Sequence, residues 1–314
     1  MKLVILEPLG VEKQRFLSMA QEALGDRVEL VTYDDRVEDA PTLIERSKDA
    51  DIVVLSNFPY REEVISQCPN LKMICVAFTG YDHVDIEYCK SRGITVCNCA
   101  GYSTEAVGDL VFGMVISLMR NLFACDQASR NGGTKAGLVG CELEGKTFGV
   151  IGTGAIGLRV AKIAQAFGCH VLAYSRTKKD VPGVTYVTLD DLLQQSDIVS
   201  LHVPASPATT KMISAEKLAL MKPSAILVNC ARGPVVDSQA LANALQNGII
   251  AGACLDVLES EPPFPADHPL LSAPHTLITP HVAFATHESM VKRAAIVFEN
   301  IVKYLDGAPQ NVVC

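Results

Sequence analysis

The segment Gly152-Thr153-Gly154-Ala155-Ile156-Gly157 follows directly on the apolar run Phe148-Gly149-Val150-Ile151 and precedes the apolar, glycine-poor stretch Leu158 to Phe167. A hydrophobic strand, a glycine turn and a helix in that order predict a dinucleotide-binding βαβ unit. Gly152 allows the tight turn and Gly154 lets the backbone approach a pyrophosphate. Gly157 lets the helix pack closely on the strand, and Ala155 and Ile156 open a helix whose unpaired N–H groups attract the anion. Gly152, Gly154, Ala155, Ile156 and Gly157 are therefore the expected phosphate-binding residues.

The rest of the chain alternates in the same way. Strand patterns fall at Leu3–Glu7, Val28–Tyr33, Ile52–Leu55, Lys72–Ala77 and Ile94–Cys97, with helix-like segments such as Gln14–Leu24 and Tyr60–Cys68 between them. A long apolar stretch, Thr104 to Asn121, reads as one helix. A second series follows, with strands at Phe148–Gly152, His170–Ser175, Ile198–His202, Ala225–Cys230, Gly252–Val257 and Thr276–Thr279, and Glu288 to Leu305 is again helical. Such alternation implies parallel sheets with crossover helices. At 314 residues the chain is too long for one ordinary core. The expected fold is α/β: two Rossmann-like or flavodoxin-like domains with parallel sheets, the nucleotide-binding domain inserted into the substrate domain. The boundaries read as 1–99 plus 288–314 for the substrate domain and 100–287 for the dinucleotide-binding domain. The last helix is expected to cross back to the first domain.

Composition removes several function classes. A net charge of −8 argues against nucleic acid and anionic membranes as partners. No apolar run approaches the ~20 residues that would span a bilayer, and Met1 to Glu7 reads as a first strand rather than a signal peptide. The 11 cysteines are odd in number, and Cys75, Cys97, Cys230 and Cys254 lie in apolar strand-like runs. Reduced thiols in a cytoplasmic protein fit this better than disulfides. Cys97-Asn98-Cys99 lacks a second ligand pair, so no metal site is expected. His83, His170, His268 and His275 are expected to be surface or structural groups, and His287 to cap the last helix.

The second strand of the nucleotide unit carries a signal about the cofactor. Such folds usually place an acidic residue at its end to hold the adenosine ribose hydroxyls. Here Val171-Leu172-Ala173-Tyr174 leads into Ser175-Arg176-Thr177-Lys178-Lys179. Without a carboxylate nothing repels a 2′-phosphate. Arg176 can grip one in the bidentate manner of guanidinium, with Ser175 and Thr177 as neutral donors. NADP(H) is favoured. An ordinary solvated basic turn is the bland reading, and NAD(H) stays open.

Three ionisable residues close strands of the second series. Arg232 follows Val228-Asn229-Cys230-Ala231, Glu261 lies in Leu255-Asp256-Val257-Leu258-Glu259-Ser260-Glu261, and His281 ends Thr279-Pro280-His281. In an open α/β sheet ligands bind outside the carboxyl ends of the strands, so all three are expected to face the cofactor's crevice. A cation, an acid and an imidazole gathered there suit reduction of a 2-oxo acid.

These segments resemble the D-specific 2-hydroxyacid dehydrogenase family over essentially the whole chain. The resemblance includes Thr79-Gly80-Tyr81-Asp82-His83-Val84-Asp85, Ser103-Thr104-Glu105-Ala106-Val107, the glycine turn, His202-Val203-Pro204 and the three segments above in the family's order. It implies that Arg232 clamps the substrate carboxylate and 2-oxo oxygen, with backbone N–H groups of Phe78, Thr79 and Gly80 adding donors. It implies that His281 is the general acid of reduction and the base of the reverse reaction, and that Glu261 pairs with it and favours its protonated form. Asp256 matches the position near the nicotinamide amide. Val203, Pro204, Cys230, Ala231 and Thr104 fall at the family's cofactor contacts.

Members are commonly dimers joined through the long helix, and a homodimer working across an interdomain cleft is expected. Formate enzymes carry glutamine where this chain has Glu261. Phosphoglycerate enzymes often carry a further C-terminal domain, and that form is not expected here. Two departures from the family pattern stand out: Val107-Gly108-Asp109 replaces Val-Ala-Glu, and Phe284 follows His281 where small residues are common. If Phe284 faces the pocket it favours an apolar substrate side chain; otherwise it fills the core. Asn57, in Ser56-Asn57-Phe58-Pro59, is a further expected pocket wall. Two alternatives stay open: a glyoxylate or hydroxypyruvate reductase of the same family, and a dinucleotide-sensing interaction protein that resembles the family's corepressors.

Overall fold

Four-residue runs such as Ile52–Leu55 and Met73–Val76 are buried at every position. That is the signature of parallel strands covered by helices on both faces. The computed structural model describes residues 1–314 and divides them into two compact units, Met1–Ser103 with Ala285–Cys314, and Thr104–Phe284.

The first unit alternates β1 (Lys2–Ile5), α1 (Lys13–Leu24), β2 (Glu29–Thr32), α2 (Ala40–Ser47), β3 (Ile52–Leu55), α3 (Glu62–Ile65), β4 (Met73–Val76), α4 (Ile86–Arg92) and β5 (Thr95–Asn98). Its sheet is parallel, in the order β2-β1-β3-β4-β5, with Leu3 paired to Leu30 on one side and Ile52 on the other. The chain leaves β1 for β2, then returns across the sheet to β3. The topological switch point, where the crossovers diverge, therefore lies between the carboxyl ends of β1 and β3.

The second unit holds α5 (Thr104–Met119), α6 (Leu122–Arg130), β6 (Thr147–Ile151), α7 (Ala155–Ala166), β7 (His170–Tyr174), β8 (Val184–Tyr186), α8 (Leu189–Gln195), β9 (Ile198–Leu201), α9 (Ala215–Leu218), β10 (Ile226–Asn229), α10 (Ser238–Gln246), β11 (Gly252–Leu255) and β12 (Thr276–Ile278). Its parallel sheet runs β12-β11-β10-β9-β6-β7-β8, a doubly wound order with its switch point between β6 and β9. Successive residues face opposite layers, as the strand period demands. Val150 and Val228 join the layer under α5 and α7, while Ile151 and Leu227 join the layer under α8 and α10.

The helix expected over Thr104–Asn121 is shorter and bent. It stops at Met119, Asn121 takes a left-handed φ of 53°, and α6 leaves at 57° to α5. Asn tolerates that conformation and so breaks the run. The edge strand β8 carries too short a pattern to announce itself.

The final helix, α11 (His287–Leu305), belongs to the first unit. Met290, Ala294, Val297, Phe298 and Ile301 form its buried stripe, and Phe298 meets Phe16 of α1 with ring centroids 5.1 Å apart. Arg293 donates to the Leu9 carbonyl at 2.7 Å. The helix is capped by Thr286, whose side chain accepts from Ser289 N. His287, expected as the cap, is the first helical residue instead, because the hydroxyl one position earlier is the better acceptor.

All eleven cysteines are free. Burial pushes the Cys89, Cys97 and Cys254 thiols up to about 12, which keeps them neutral and unreactive. No single helix is long and apolar enough to cross a membrane.

Candidate active site

The glycine turn between β6 and α7 is shaped by close approach. Gly152 has φ 97°, and a Cβ there would lie 2.5 Å from the His202 carbonyl oxygen. A Cβ on Gly157 would lie 1.9 Å from the oxygen of Gly152, whereas one on Gly154 would meet nothing within 4 Å. The turn is thus tight on its protein side and open where Gly154 caps the helix. No side chain caps α7, and no acidic residue lies in its first turn. Thr153 is 3% exposed, and its Oγ1 has no hydrogen-bond partner. Unspent N–H groups, no competing carboxylate and an unmet hydroxyl fit a pyrophosphate.

The other residues expected to touch a dinucleotide also belong to the second unit. Ser175 is half-buried at the end of β7, and Arg176 and Thr177 are exposed beyond it. Val203 and Pro204 follow β9, where the Pro204 carbonyl accepts from Thr209 Oγ1 at 2.6 Å. Thr104 is the first residue of α5. Cys230 and Ala231 follow β10, and burial, then the charge of Asp256, pushes the Cys230 thiol well up.

Arg232 is carried by a turn that the sequence builds in two ways. Asn229 is 1% exposed; its Nδ2 donates to the Arg232 carbonyl at 2.9 Å and its Oδ1 accepts from Ala231 N at 3.0 Å. Gly233 then presses on the chain beyond β11, since a Cβ there would sit 1.7 Å from the Leu258 oxygen. Only glycine permits this contact, which sets the Arg232 turn against the segment leading to Glu261.

Glu261 and His281 come from different strands and meet. Glu261 Oε2 lies 2.7 Å from His281 Nδ1. The His281 side chain is 10% exposed, against 46% for Glu261, so the ring is shielded and the carboxylate reaches in from solvent. Phe284 packs edge-on against the imidazole, with centroids 5.3 Å apart at 82°. His281 has a left-handed φ of 54°, a conformation that costs a non-glycine residue about 1–3 kcal/mol.

Asp256 holds that conformation. It is fully buried at the end of β11. Oδ1 accepts from Thr279 Oγ1 at 2.6 Å and from Val282 N at 2.8 Å, and Oδ2 accepts from Ala283 N at 2.8 Å. Its carbonyl accepts from His281 N at 2.8 Å. The residue expected near the nicotinamide amide therefore spends its carboxylate on the loop that bears His281.

The remaining expected residues belong to the first unit. Phe78, Thr79 and Gly80 follow β4. The Phe78 carbonyl accepts from Cys99 N at 2.9 Å and the Thr79 carbonyl from Asn98 Nδ2 at 2.7 Å, which pins the loop to β5. Asn57 follows β3, and its Oδ1 accepts from Arg36 Nη1 at 2.9 Å. Two groupings were not anticipated from sequence. One is the Glu7–Arg36–Asn57 cluster. The other is His202, whose Nε2 lies 2.9 Å from Ser200 Oγ and whose pKa burial pushes down to about 4. Position directly before Val203-Pro204, at a strand end, was the only available signal for His202.

Comparison with known proteins gives concordant results. Residues 112–283 match the family model described as D-isomer specific 2-hydroxyacid dehydrogenase, NAD binding domain. A hydroxypyruvate reductase of Blautia hydrogenotrophica is 37% identical over 324 residues, covering 100% of this chain and 99% of that protein. A glyoxylate reductase of Korarchaeum cryptofilum is 40% identical over 282 residues, covering 86% and 85%. Among solved structures, an acyclic imino acid reductase in complex with NADPH and D-Arg superposes with a TM-score of 0.92 at 30% identity, covering 100% of both chains. These relatives are named as enzymes and give the dinucleotide-sensing alternative no support.

Proposed function

The chain belongs to the D-isomer-specific 2-hydroxyacid dehydrogenase family and is an oxidoreductase of CH–OH donors that uses a nicotinamide dinucleotide; on that premise we propose that it reduces glyoxylate or hydroxypyruvate, short 2-oxo acids, with Arg232, Glu261 and His281 as its working residues. The names of the two relatives support this substrate choice. The observation that carries the mechanism is the 2.7 Å contact between Glu261 Oε2 and His281 Nδ1 on a loop latched by Asp256.

The dinucleotide, when bound, supplies the hydride that reduces C2. Gly152, Thr153, Gly154, Ala155, Ile156 and Gly157 would hold its pyrophosphate, with Thr104, Val203, Pro204, Cys230 and Ala231 beside it. Arg232 binds the substrate carboxylate and 2-oxo oxygen, which suits a planar fork of donors. A carboxylate is an acceptor only, so Nδ1–H of His281 donates to Glu261 and Nε2 is left to deliver the proton to the developing alkoxide. Glu261 stabilises the imidazolium and fixes the ring plane, with Phe284 buttressing its edge. In the reverse direction Nε2 takes the proton back.

NADPH is the preferred reductant in this reading, because β7 is followed by Ser175-Arg176-Thr177 with no carboxylate. A cytoplasmic setting is part of the same reading, and the eleven unpaired thiols support it. A homodimer formed along α5 and α6 fits the exposure of Leu122 (47%), Phe123 (67%) and Val139 (84%).

Loss of NADPH or NADH absorbance with glyoxylate, hydroxypyruvate, pyruvate, 2-oxoisocaproate and phenylpyruvate tests the reading. Glyoxylate or hydroxypyruvate should be turned over best, and Arg232→Ala should abolish turnover while dinucleotide binding persists. Best turnover of the large apolar acids would return Phe284 to the role of an apolar pocket wall and overturn the substrate choice.

A further inference from the structure

The loop between β11 and β12 carries a second glutamate–histidine pair besides Glu261 and His281. Glu259 Oε2 lies 2.9 Å from His268 Nε2, and the imidazole is 11% exposed against 43% for the carboxylate. Ring and carboxylate thus stand as they do at His281 and Glu261, and Ser260 alone separates the two glutamates. His268 Nδ1 accepts from Leu270 N at 3.3 Å, at the entry to the single helical turn Pro269–Leu271. That N–H fixes the tautomer. Nδ1 is the acceptor, so Nε2 carries the hydrogen and donates to Glu259.

Glu259 also meets the turn that bears Arg232 and the start of α10. A Cβ on Gly233 would lie 1.7 Å from the Leu258 oxygen and 2.5 Å from Glu259 N, so the Arg232 turn presses on this part of the loop. Burial raises the Glu259 carboxyl pKa, but hydrogen bonds from Ser238, the first residue of α10, and from His268 outweigh it and hold the group below its ordinary value. The acceptor is therefore a carboxylate anion. On the other side, Leu270 is fully buried in the core with Leu241 of α10. The Glu259–His268 bond joins positions nine residues apart, and both ends are themselves anchored. Glu261 lies inside the closed stretch, on backbone with no regular structure. Tying both stems removes in advance the freedom that the loop would otherwise lose whenever its carboxylate met the imidazole.

Building on the reading above, we propose that the Glu259–His268 pair is a clamp that holds the Glu261 carboxylate against His281 Nδ1. Both are positioning residues for proton transfer. Their effect on the rate passes through Glu261, not through contact with substrate or dinucleotide.

The test is a kinetic cycle on glyoxylate and hydroxypyruvate at saturating dinucleotide. Glu259→Ala should lower kcat about tenfold, less than the ~10²-fold that a 1 Å misplacement of a working group costs. In the Glu261→Ala background the same change should cost less than about twofold, because the group being positioned is gone. Dinucleotide affinity, read by cofactor fluorescence, should stay unchanged. Glu259→Gln keeps an oxygen acceptor for Nε2–H and should return kcat to within about threefold of the unaltered enzyme. If Glu259→Ala does not fold, His268→Phe fills the space of the shielded ring without its nitrogens. It breaks the same bond from the other side and carries the same two expectations. A loss of about tenfold that persists without Glu261 would mark a general structural role and overturn the proposal. So would a folded Glu259→Ala or His268→Phe variant whose kcat falls by less than about twofold. Either result leaves 2-oxo acid reduction intact. Failure of the unaltered enzyme to turn over either acid would instead overturn the parent reading, and this one with it.

Discussion

Replacing Asp256 by Asn removes a charge and a single acceptor while keeping the side-chain shape. Asp256 is fully buried and accepts from Thr279 Oγ1, Val282 N and Ala283 N. The amide can satisfy the two donors at Oδ1 only by turning its NH₂ toward Ala283 N, donor against donor. The loss of one charge-assisted bond and the stranding of a buried N–H together cost about 3–5 kcal/mol if the loop stays put. The loop relieves this by moving, and His281 sits two residues before Ala283 at a left-handed φ of 54°. A displacement of the imidazole of about 1 Å lowers the rate about 10²-fold. Asp256→Asn should therefore depress kcat about 10²-fold with dinucleotide affinity, read by cofactor fluorescence, nearly unchanged. Retention of kcat within about threefold in a folded variant would refute the latch. A loss of dinucleotide affinity matching the loss of rate would restore the residue to the nicotinamide amide, the role implied by the family resemblance.

Three further outcomes are expected. His281→Ala should lower kcat by about 10²–10⁴-fold, and Glu261→Gln, which keeps the contact but not the charge, should lower it less. Arg176→Ala should weaken NADPH far more than NADH in parallel binding titrations; equal effects would end the 2′-phosphate argument. The low pKa of His202, about 4, lies below its unfolded value, so the unfolded chain binds the extra proton first as pH falls. Its contribution is complete above the unfolded pKa near 6.5 and is lost between there and about 4, amounting to about 3 kcal/mol. Urea titrations of the protein and of His202→Gln across that window should show the variant with the shallower pH dependence.

Much of the fold could be read from local pattern, because parallel strands advertise themselves as fully apolar runs and the glycine turn has few other uses. Ile52–Leu55 has the bounds expected of it, and most other strands differ by a residue or two at their ends. The break at Asn121 was hidden because Leu118 to Phe123 is mostly apolar on both sides of it, and a left-handed residue leaves no periodic trace. Arg232, Glu261 and His281 stood out because each is ionisable at the end of an apolar run. Asp256 was visible too, but its three acceptor bonds were not, since their donors lie 23 to 27 residues away in sequence.

The division between sequence and structure follows the range of the forces involved. Strand, turn and helix here depend on neighbours within a few residues, so the amino-acid order alone determined the α/β alternation, the phosphate turn and the family of chemistry. The left-handed backbone of His281, the locked amide of Asn57 and the neutral ring of His202 depend on groups brought together from distant parts of the chain. Arg36 meets Asn57 across 21 residues, and Glu261 meets His281 across 20. Hydrogen bonds and desolvation act over a few ångströms, and only the packed tertiary structure decides which of the many polar side chains come within that reach.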